Sequence, residues 1–188
     1  MAVDPPRQHT QGQSMNALEE AFRRSMRALT SAVCIISTAS EGRNFGMTAT
    51  SVTSVSMTPP SLLACINKMA SLHDPLIRST RFYVNLLHAY QSDLARAFSG
   101  KRPGGRFAIG KWNFDVDCLP CLVGAQANVL CDVDQFHHYG SHTIVIGRVR
   151  AVMACDSINP LLYQDGKYAV CGVEAANPVL RLTDVLLS

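Results

Sequence analysis

The chain has 188 residues, 47% of them apolar and 16% charged, with a formal net charge of +3. That length gives one domain with tails and enough chain to bury a substantial core, and so small a charge leaves no electrostatic footprint for nucleic acid. No apolar run approaches the ~20 residues that cross a bilayer, and no apolar segment follows the N-terminal charges, so neither a membrane helix nor a signal peptide is expected.

Seven cysteines, at positions 34, 65, 118, 121, 131, 155 and 171, are odd in number and scattered through apolar runs. They predict a reduced, cytoplasmic protein without a disulfide framework. Residues 1–14 contain Pro5-Pro6 and three glutamines but little to bury, and are expected to be a disordered tail. Asn16 and Glu19 fit a capping box, and Leu18, Phe22, Met26 and Leu29 recur at helical spacing. This amphipathic helix is expected to cover one end of a barrel.

Val33–Ser37 reads as a short buried strand, and Glu41–Asn44 as a turn. From Thr48 to Ser56 every residue is Thr, Ser, Ala or Val, which favours extended backbone. Pro59-Pro60 ends that strand, and the apolar run Leu62–Ile66 forms the next. Such a pair presents small hydroxyls and backbone groups to a polar, flat or phosphorylated ligand; the plainer alternative is an edge strand facing water. Asn67, Lys68, Ser71 and His73 make a polar cluster at the strand end. Asn67 can both donate to and accept from a heteroaromatic edge, although Ser71 and Asp74 also suit ordinary helix capping. Asp74-Pro75 opens a short helix to about Ser79, Phe82–Leu87 is a strand, and Gln91–Phe98 is a helix with Leu94, Ala95 and Phe98 on one face.

Ser99–Phe107 is a basic, glycine-rich loop. Its Lys101, Arg102 and Arg106 suit a phosphate, but the loop has neither the Walker pattern nor the Rossmann fingerprint. Cys118 and Cys121 stand as a C-x-x-C without thioredoxin-type surroundings, and Cys131, His137, His138 and His142 lack the regular spacing of a zinc site. Cys121–Val133 and His142–Met153 read as long strands around a polar spacer, Gln135–Ser141, and Asp165-Gly166 marks a hairpin turn. About seven short strands with two or three helices indicate a mainly β, barrel-like domain.

Gly46–Ser56, with Pro59-Pro60 and Cys65-Ile66-Asn67 after it, resembles the signature of the short-chain flavin reductases. Phe98-Ser99-Gly100, Arg106-Phe107, Gly110, Trp112, Gly140-Ser141-His142 and Pro160–Tyr168 follow in that family's order. Ser141 stands where the family has Asp, and Cys118 where it usually has Gly. The resemblance implies a split β-barrel, Greek-key FMN-binding domain over 15–170 with a C-terminal extension at 171–188. It implies a homodimer, FMN with FAD as the alternative flavin, NADH or NADPH as hydride donor, and no metal. Thr48, Ala49, Thr50, Ser51, Cys65, Asn67, Lys68, Ser71, Phe98, Ser99, Gly100 and Arg106 are the implied flavin contacts. His142 is the implied catalytic residue, and it faces the nicotinamide nucleotide with Tyr163, Gly166 and Tyr168. The protein's task would be to hold nicotinamide C4 within about 3–3.5 Å of flavin N5. Reduced flavin would then diffuse to a partner oxygenase. A relative that reduces another acceptor such as a corrinoid, a non-catalytic FMN-binding protein, and a zinc or thiol-redox protein are the competing readings.

Overall fold

A computed structural model describes residues 10–100 and 105–172. Helix α1 spans Thr10–Met26 and is followed by β1 (Ser31–Ala32), β2 (Cys34–Ser40), β3 (Arg43–Ala49), β4 (Val52–Met57) and β5 (Pro60–Asn67). Then come α2 (His73–Ser79), β6 (Arg81–Leu86), α3 (Ser92–Ser99), a 3-10 turn at Arg106–Ala108, β7 (Trp112–Phe114) and β8 (Pro120–Leu122). The long pair β9 (Ala127–Tyr139) and β10 (His142–Ala154) and the short pair β11 (Leu161–Gln164) and β12 (Lys167–Val170) complete the described chain. The fold is mainly β with a few helices.

Seven strands pair antiparallel in the order β3-β2-β6-β9-β10-β5-β4. The edge strands β3 and β4 are consecutive in the chain, separated by Thr50 and Ser51 alone. A flat sheet of this width would hold its edges roughly 28 Å apart at ~4.8 Å per strand. The three chain steps from Ala49 to Val52 reach ~11 Å at most. The sheet therefore curls until its edges meet at Thr50–Ser51.

Inside the curl, Ile36, Leu62, Ala64, Ile66, Phe82, Val84 and Val145 pack with Leu72, which precedes α2, and Leu76 within it. A second core joins Val33, Ile35, Leu87, Leu122 and Leu161 to Leu94, Ala95 and Phe98 of α3. Alternation on β5, with Leu62, Ala64 and Ile66 buried, follows from the period-2 geometry of a strand that has the core on one face.

Several sequence expectations need correction. The first helix begins at Thr10, inside the stretch read as tail, so Asn16 is interior to it; residues 1–9 and 173–188 lie outside the described chain. Among the described residues its apolar stripe is largely uncovered: Leu18 is 70% exposed and Phe22 63%. Helix α2 opens at His73 rather than after Asp74, which a proline in the first turn tolerates because the N–H it lacks there has no intrahelical acceptor. The hydroxyl-rich run is not one strand but two, β3 paired to β2 and β4 paired to β5. Cys121–Val133 is likewise divided into β8 and β9. The polar spacer Gln135–Tyr139 continues β9 into a 13-residue hairpin with β10, its turn at Gly140-Ser141.

Candidate functional site

The junction where the ends of the two edge strands approach is also where one group of the predicted site residues gathers. A cavity of about 240 Å³ is lined by Thr48, Ala49, Thr50, Ser99, Tyr163 and Tyr168. A second, about 440 Å³, adjoins it through Thr50 and Tyr163 and is lined further by Ser51, Gly166, Asp165 and the Arg23, Met26 and Arg27 side of α1. The larger falls in the range of small-molecule sites, about 300–1,000 Å³. Residues implied for the flavin (Thr48, Ala49, Thr50, Ser99) and for the nucleotide (Tyr163, Tyr168) thus line the smaller cavity together, and the larger shares Thr50 and Tyr163 with it. The β11–β12 hairpin that carries the tyrosines is tied down by Asp165 N–H donating to Arg27 O at 3.1 Å. Tyr163 and Tyr168 pack ring to ring at 5.5 Å.

The hydroxyls do not form an open row. Thr48 Oγ1 donates to Ala95 O at 2.6 Å and fastens α3 to β3, while Ser51 Oγ donates to Cys65 O at 3.0 Å. Cys65 N–H donates in turn to Ser51 O, so Cys65 holds the junction through its backbone. Ser99 Oγ caps the last turn of α3 by donating to Arg96 O at 2.9 Å. The strand β4, with Thr53, Ser54 and Val55 exposed, is the water-facing edge that the plainer alternative described.

Arg106 is the hub between the elements. Its Nε donates to Gly100 O at 3.0 Å, and its Nη1 to Gly46 O at 2.6 Å and Ser71 Oγ at 3.2 Å. These bonds use Nε and Nη1; the guanidinium carries two more N–H groups on Nη2, the fork that suits a phosphate. Lys101 and Arg102, its predicted companions, lie outside the described residues. Phe98, expected to touch flavin, is 1% exposed. It stacks edge-on against Phe107 at 5.1 Å and near Trp112 at 5.4 Å, beneath Gly46. A Cβ at Gly46 would sit 2.7 Å from Phe98 Cε1, which is why this strand position is glycine. Phe98 is therefore a support of the site and not a wall of it.

The other predicted group lies at the head of the β9–β10 hairpin. His142 sits opposite Asn67 in the strand register and is exposed. Lys68 Nζ donates to Gly140 O at 2.9 Å and Lys68 N–H to Ser141 O at 3.0 Å, so Lys68 clamps the hairpin turn. Asn67 Oδ1 accepts from Met69 N–H at 2.8 Å. Ser141 Oγ lies 2.9 Å from His142 Nδ1, placing a hydroxyl where the family has a carboxylate. His142 lines neither cavity. His142→Ala should keep flavin affinity within a few-fold but slow flavin reduction ~10-fold or more in rapid mixing, about 1.4 kcal/mol on the barrier. An unchanged rate at every nucleotide concentration would leave His142 as a strand residue alone.

The cysteine pair is not poised for redox work. Cys121 is buried, its Sγ accepting from Asn128 Nδ2 at 3.1 Å, and burial pushes its thiol pKa up, opposite to a reactive thiolate. Cys118 is exposed in the left-handed region. Among the described residues no three His, Cys, Asp or Glu side chains converge as metal ligands. The double change of Cys118 and Cys121 to Ser should leave NAD(P)H oxidation within a few-fold of the parent; abolished turnover or stoichiometric zinc would restore the thiol or metal reading.

A larger cavity, about 620 Å³, lies elsewhere, and its charges are spent on one another. Arg81 pairs with Asp117 and, at 3.0 Å, with Asp132, which also accepts from Arg150 at 2.5 Å. Burial alone would raise the Asp132 pKa, but hydrogen bonds from Arg150 and Arg81 hold it below the ordinary value.

Residues 26–172 match the family described as the flavin reductase like domain. The reductase component of the FADH(2)-dependent resorcinol hydroxylase of Rhizobium sp. (strain MTP-10005) is 40% identical over 150 residues, 78% of this chain and 84% of that protein. FMN reductase (NADH) RutF of Methylorubrum populi is 39% identical over 149 residues, 79% of this chain and 74% of that protein. Among solved structures, nitrilotriacetate monooxygenase component B from Mycobacterium thermoresistibile superimposes with a TM-score of 0.80 at 29% identity, covering 89% of this chain and 94% of that one.

Proposed function

The chain belongs to the flavin reductase like domain family, and from that membership we propose that it is an NAD(P)H:flavin oxidoreductase supplying reduced flavin to a partner oxygenase. The observation that carries this reading is the cavity shared by Thr48, Ala49, Thr50 and Ser99 with Tyr163 and Tyr168. Relatives named as an NADH-dependent FMN reductase and as a hydroxylase's reductase component support the reaction and the oxygenase partner. The curled sheet is the split, Greek-key barrel of that family, and FMN, or FAD, is its flavin.

The residues present fit such a ligand. A flat ring can lie against small residues at Ala49–Ser51, and a phosphate can take the Nη2 donors of Arg106 beside the Ser99–Gly100 turn. When bound, flavin supplies the hydride acceptor and the nicotinamide nucleotide the donor. Tyr163 and Tyr168 then wall the cleft, exclude water and limit the orientations of a planar ligand. His142, held by Ser141 and the Lys68 clamp, offers a hydrogen-bonding imidazole at the Asn67 end. No residue acts as a nucleophile.

The protein works as a homodimer in the cytoplasm. The uncovered stripe of α1 and the exposed Phe136, Tyr139, Val152 and Met153 of the long hairpin are apolar surface that a second copy would bury, and the seven cysteines are those of a reducing compartment. Light scattering at micromolar concentration should give twice the 20.4 kDa chain mass; a monomer mass with flavin bound excludes the dimer. Among the described residues no helix is long and apolar enough to cross a membrane.

Steady-state oxidation of NADH and NADPH with FMN, FAD and riboflavin tests the activity. Flavin-dependent oxidation is the expected result. Flavin binding without turnover would favour a pure binding protein, and turnover only with another acceptor would favour a different reductase.

A further inference from the structure

One polar chain, buried at its centre and exposed at Asp74 and His138, has no part in the reading above. His73, at the first turn of α2, is 9% exposed and Thr143, on β10, is fully buried. His73 Nδ1 lies 2.6 Å from Asp74 Oδ1, and its Nε2 lies 2.8 Å from Thr143 Oγ1. The same oxygen lies 2.8 Å from Nδ1 of His138, which stands opposite Thr143 on β9. One hydroxyl thus joins two imidazoles that come from different elements, and the far imidazole is backed by a carboxylate.

A hydroxyl has a single proton, so Thr143 donates to one imidazole and accepts from the other. That leaves two self-consistent polarities. In the first, His73 is neutral with its proton on Nδ1 toward Asp74. Thr143 then donates to His73 Nε2 and accepts from the Nδ1–H of His138. In the second, His73 carries both protons, Thr143 accepts from its Nε2–H and donates to His138 Nδ1, and the His138 proton sits on Nε2. The second state holds one proton more than the first. It enters at His138 Nε2, the two hydrogen bonds of Thr143 reverse while His73 Nδ1–H keeps donating to Asp74, and the charge appears on His73 beside Asp74; no other bond is made or broken.

The surroundings suit that transfer. The charged groups at the other end of α2, Arg78 and Glu41, pair with each other at 3.7 Å. From β2, the buried Cys34 thiol has its pKa pushed up to about 12 and stays neutral. From β6, Arg81 is held by Asp117 and Asp132. Lys68 is turned to the hairpin carbonyl of Gly140. Phe136, 5.6 Å from His138 ring to ring, is the aromatic neighbour on β9.

Thr143 follows His142 directly, and His73 ends the loop that carries Asn67, Lys68 and Ser71. That loop is fixed to the rest of the site by Lys68 on the hairpin turn, Ser71 on Arg106 and His73 on Thr143. We propose that Asp74, His73, Thr143 and His138 form a proton relay that joins this loop to the β9–β10 hairpin, with His73 as a positioning residue for the site. The relay stands on the geometry; its effect on turnover rests on the proposed flavin reductase activity.

The test follows the imidazole nitrogens of isotope-labelled histidine by NMR as pH is lowered. The relay predicts one shared midpoint at which His73 gains a proton on Nε2 while His138 moves its proton from Nδ1 to Nε2. In Thr143→Val and in His73→Gln, the His138 proton should no longer change nitrogen with that step. An unchanged His138 tautomer across the His73 transition in the parent protein overturns the relay, and that measurement needs no variant to fold. In the kinetic arm, KM for flavin should change at the same midpoint in the parent and lose that step in Thr143→Val while kcat stays within a few-fold. A shared NMR midpoint with no such step in KM refutes the positioning role. If no flavin is reduced at any pH, the functional reading fails while the NMR result still decides the relay.

Discussion

Phe98→Ala should lower folding stability by about 3–5 kcal/mol, the usual cost of emptying an aromatic site in a packed core. Phe98 is 1% exposed and touches both the second core and the Phe107–Trp112 pair. Its ring also fills the space that glycine leaves at position 46, whose carbonyl anchors Arg106. The loss should appear as a lower denaturant midpoint with an unchanged slope. Flavin affinity should fall only as far as the site loosens, so at low temperature and without denaturant the variant should still bind. A variant of full stability that no longer binds flavin would return Phe98 to the list of direct contacts.

Arg106→Ala should weaken FMN binding by about 1.5–3 kcal/mol, the worth of a hydrogen bond to a charged group. Riboflavin, which lacks the phosphate, should be affected much less. The substitution also removes three hydrogen bonds, to Gly46, Gly100 and Ser71, and so frees the loop at both ends. Some loss common to both flavins is therefore expected. Arg106→Lys separates the two effects: it keeps a cation but cannot reproduce the fork, so it should recover part of the FMN preference and little of the loop anchoring. Equal loss for FMN and riboflavin would remove Arg106 from the phosphate site.

What the sequence makes legible is local. The β-branched run at Thr48–Ser56 announces extended backbone, and the structure has strands there. The turn at Glu41–Asn44 is readable from its Gly and Asn; the structure narrows it to Glu41-Gly42, where both residues have the positive φ of a type I′ turn. The Asp165-Gly166 hairpin is readable on the same grounds. Pairing partners are not readable in this way. That Thr50-Ser51 ends one strand and starts another depends on which edge each half joins, and no residue at the junction signals it. Gln135–Tyr139 reads as a spacer because it mixes polar and aromatic side chains. The mixture arises because the hairpin projects beyond this chain's own core, so that neither face there is buried by it.

The site divides along the same line. The residue types of Thr48, Ser51 and Ser71 single out the candidate region in the sequence. Yet their hydroxyls are engaged by Ala95, Cys65 and Arg106, partners 47, 14 and 35 residues away. Phe98 was carried along by its place beside Ser99 and Gly100, while its burial follows from the apolar face of α3. The Asp74–His73–Thr143–His138 chain is out of reach of the sequence, since His73 and Thr143 are 70 residues apart and His138 reaches Thr143 only through the β9–β10 register. Its one sequence signal was a pair of polar residues, His73 and Thr143, at positions that an apolar pattern would fill.

The central claim is that the cleft at Thr50 and Tyr163 brings a flavin and a nicotinamide nucleotide together for hydride transfer. Anaerobic rapid mixing of the protein and FMN with NADH or NADPH tests it most directly, by following the loss of oxidised-flavin absorbance. A protein-dependent bleaching is expected, with a rate that saturates with nucleotide and falls when Tyr163 or Tyr168 is changed to Ala. Bleaching no faster than that of free flavin with either nucleotide would contradict it.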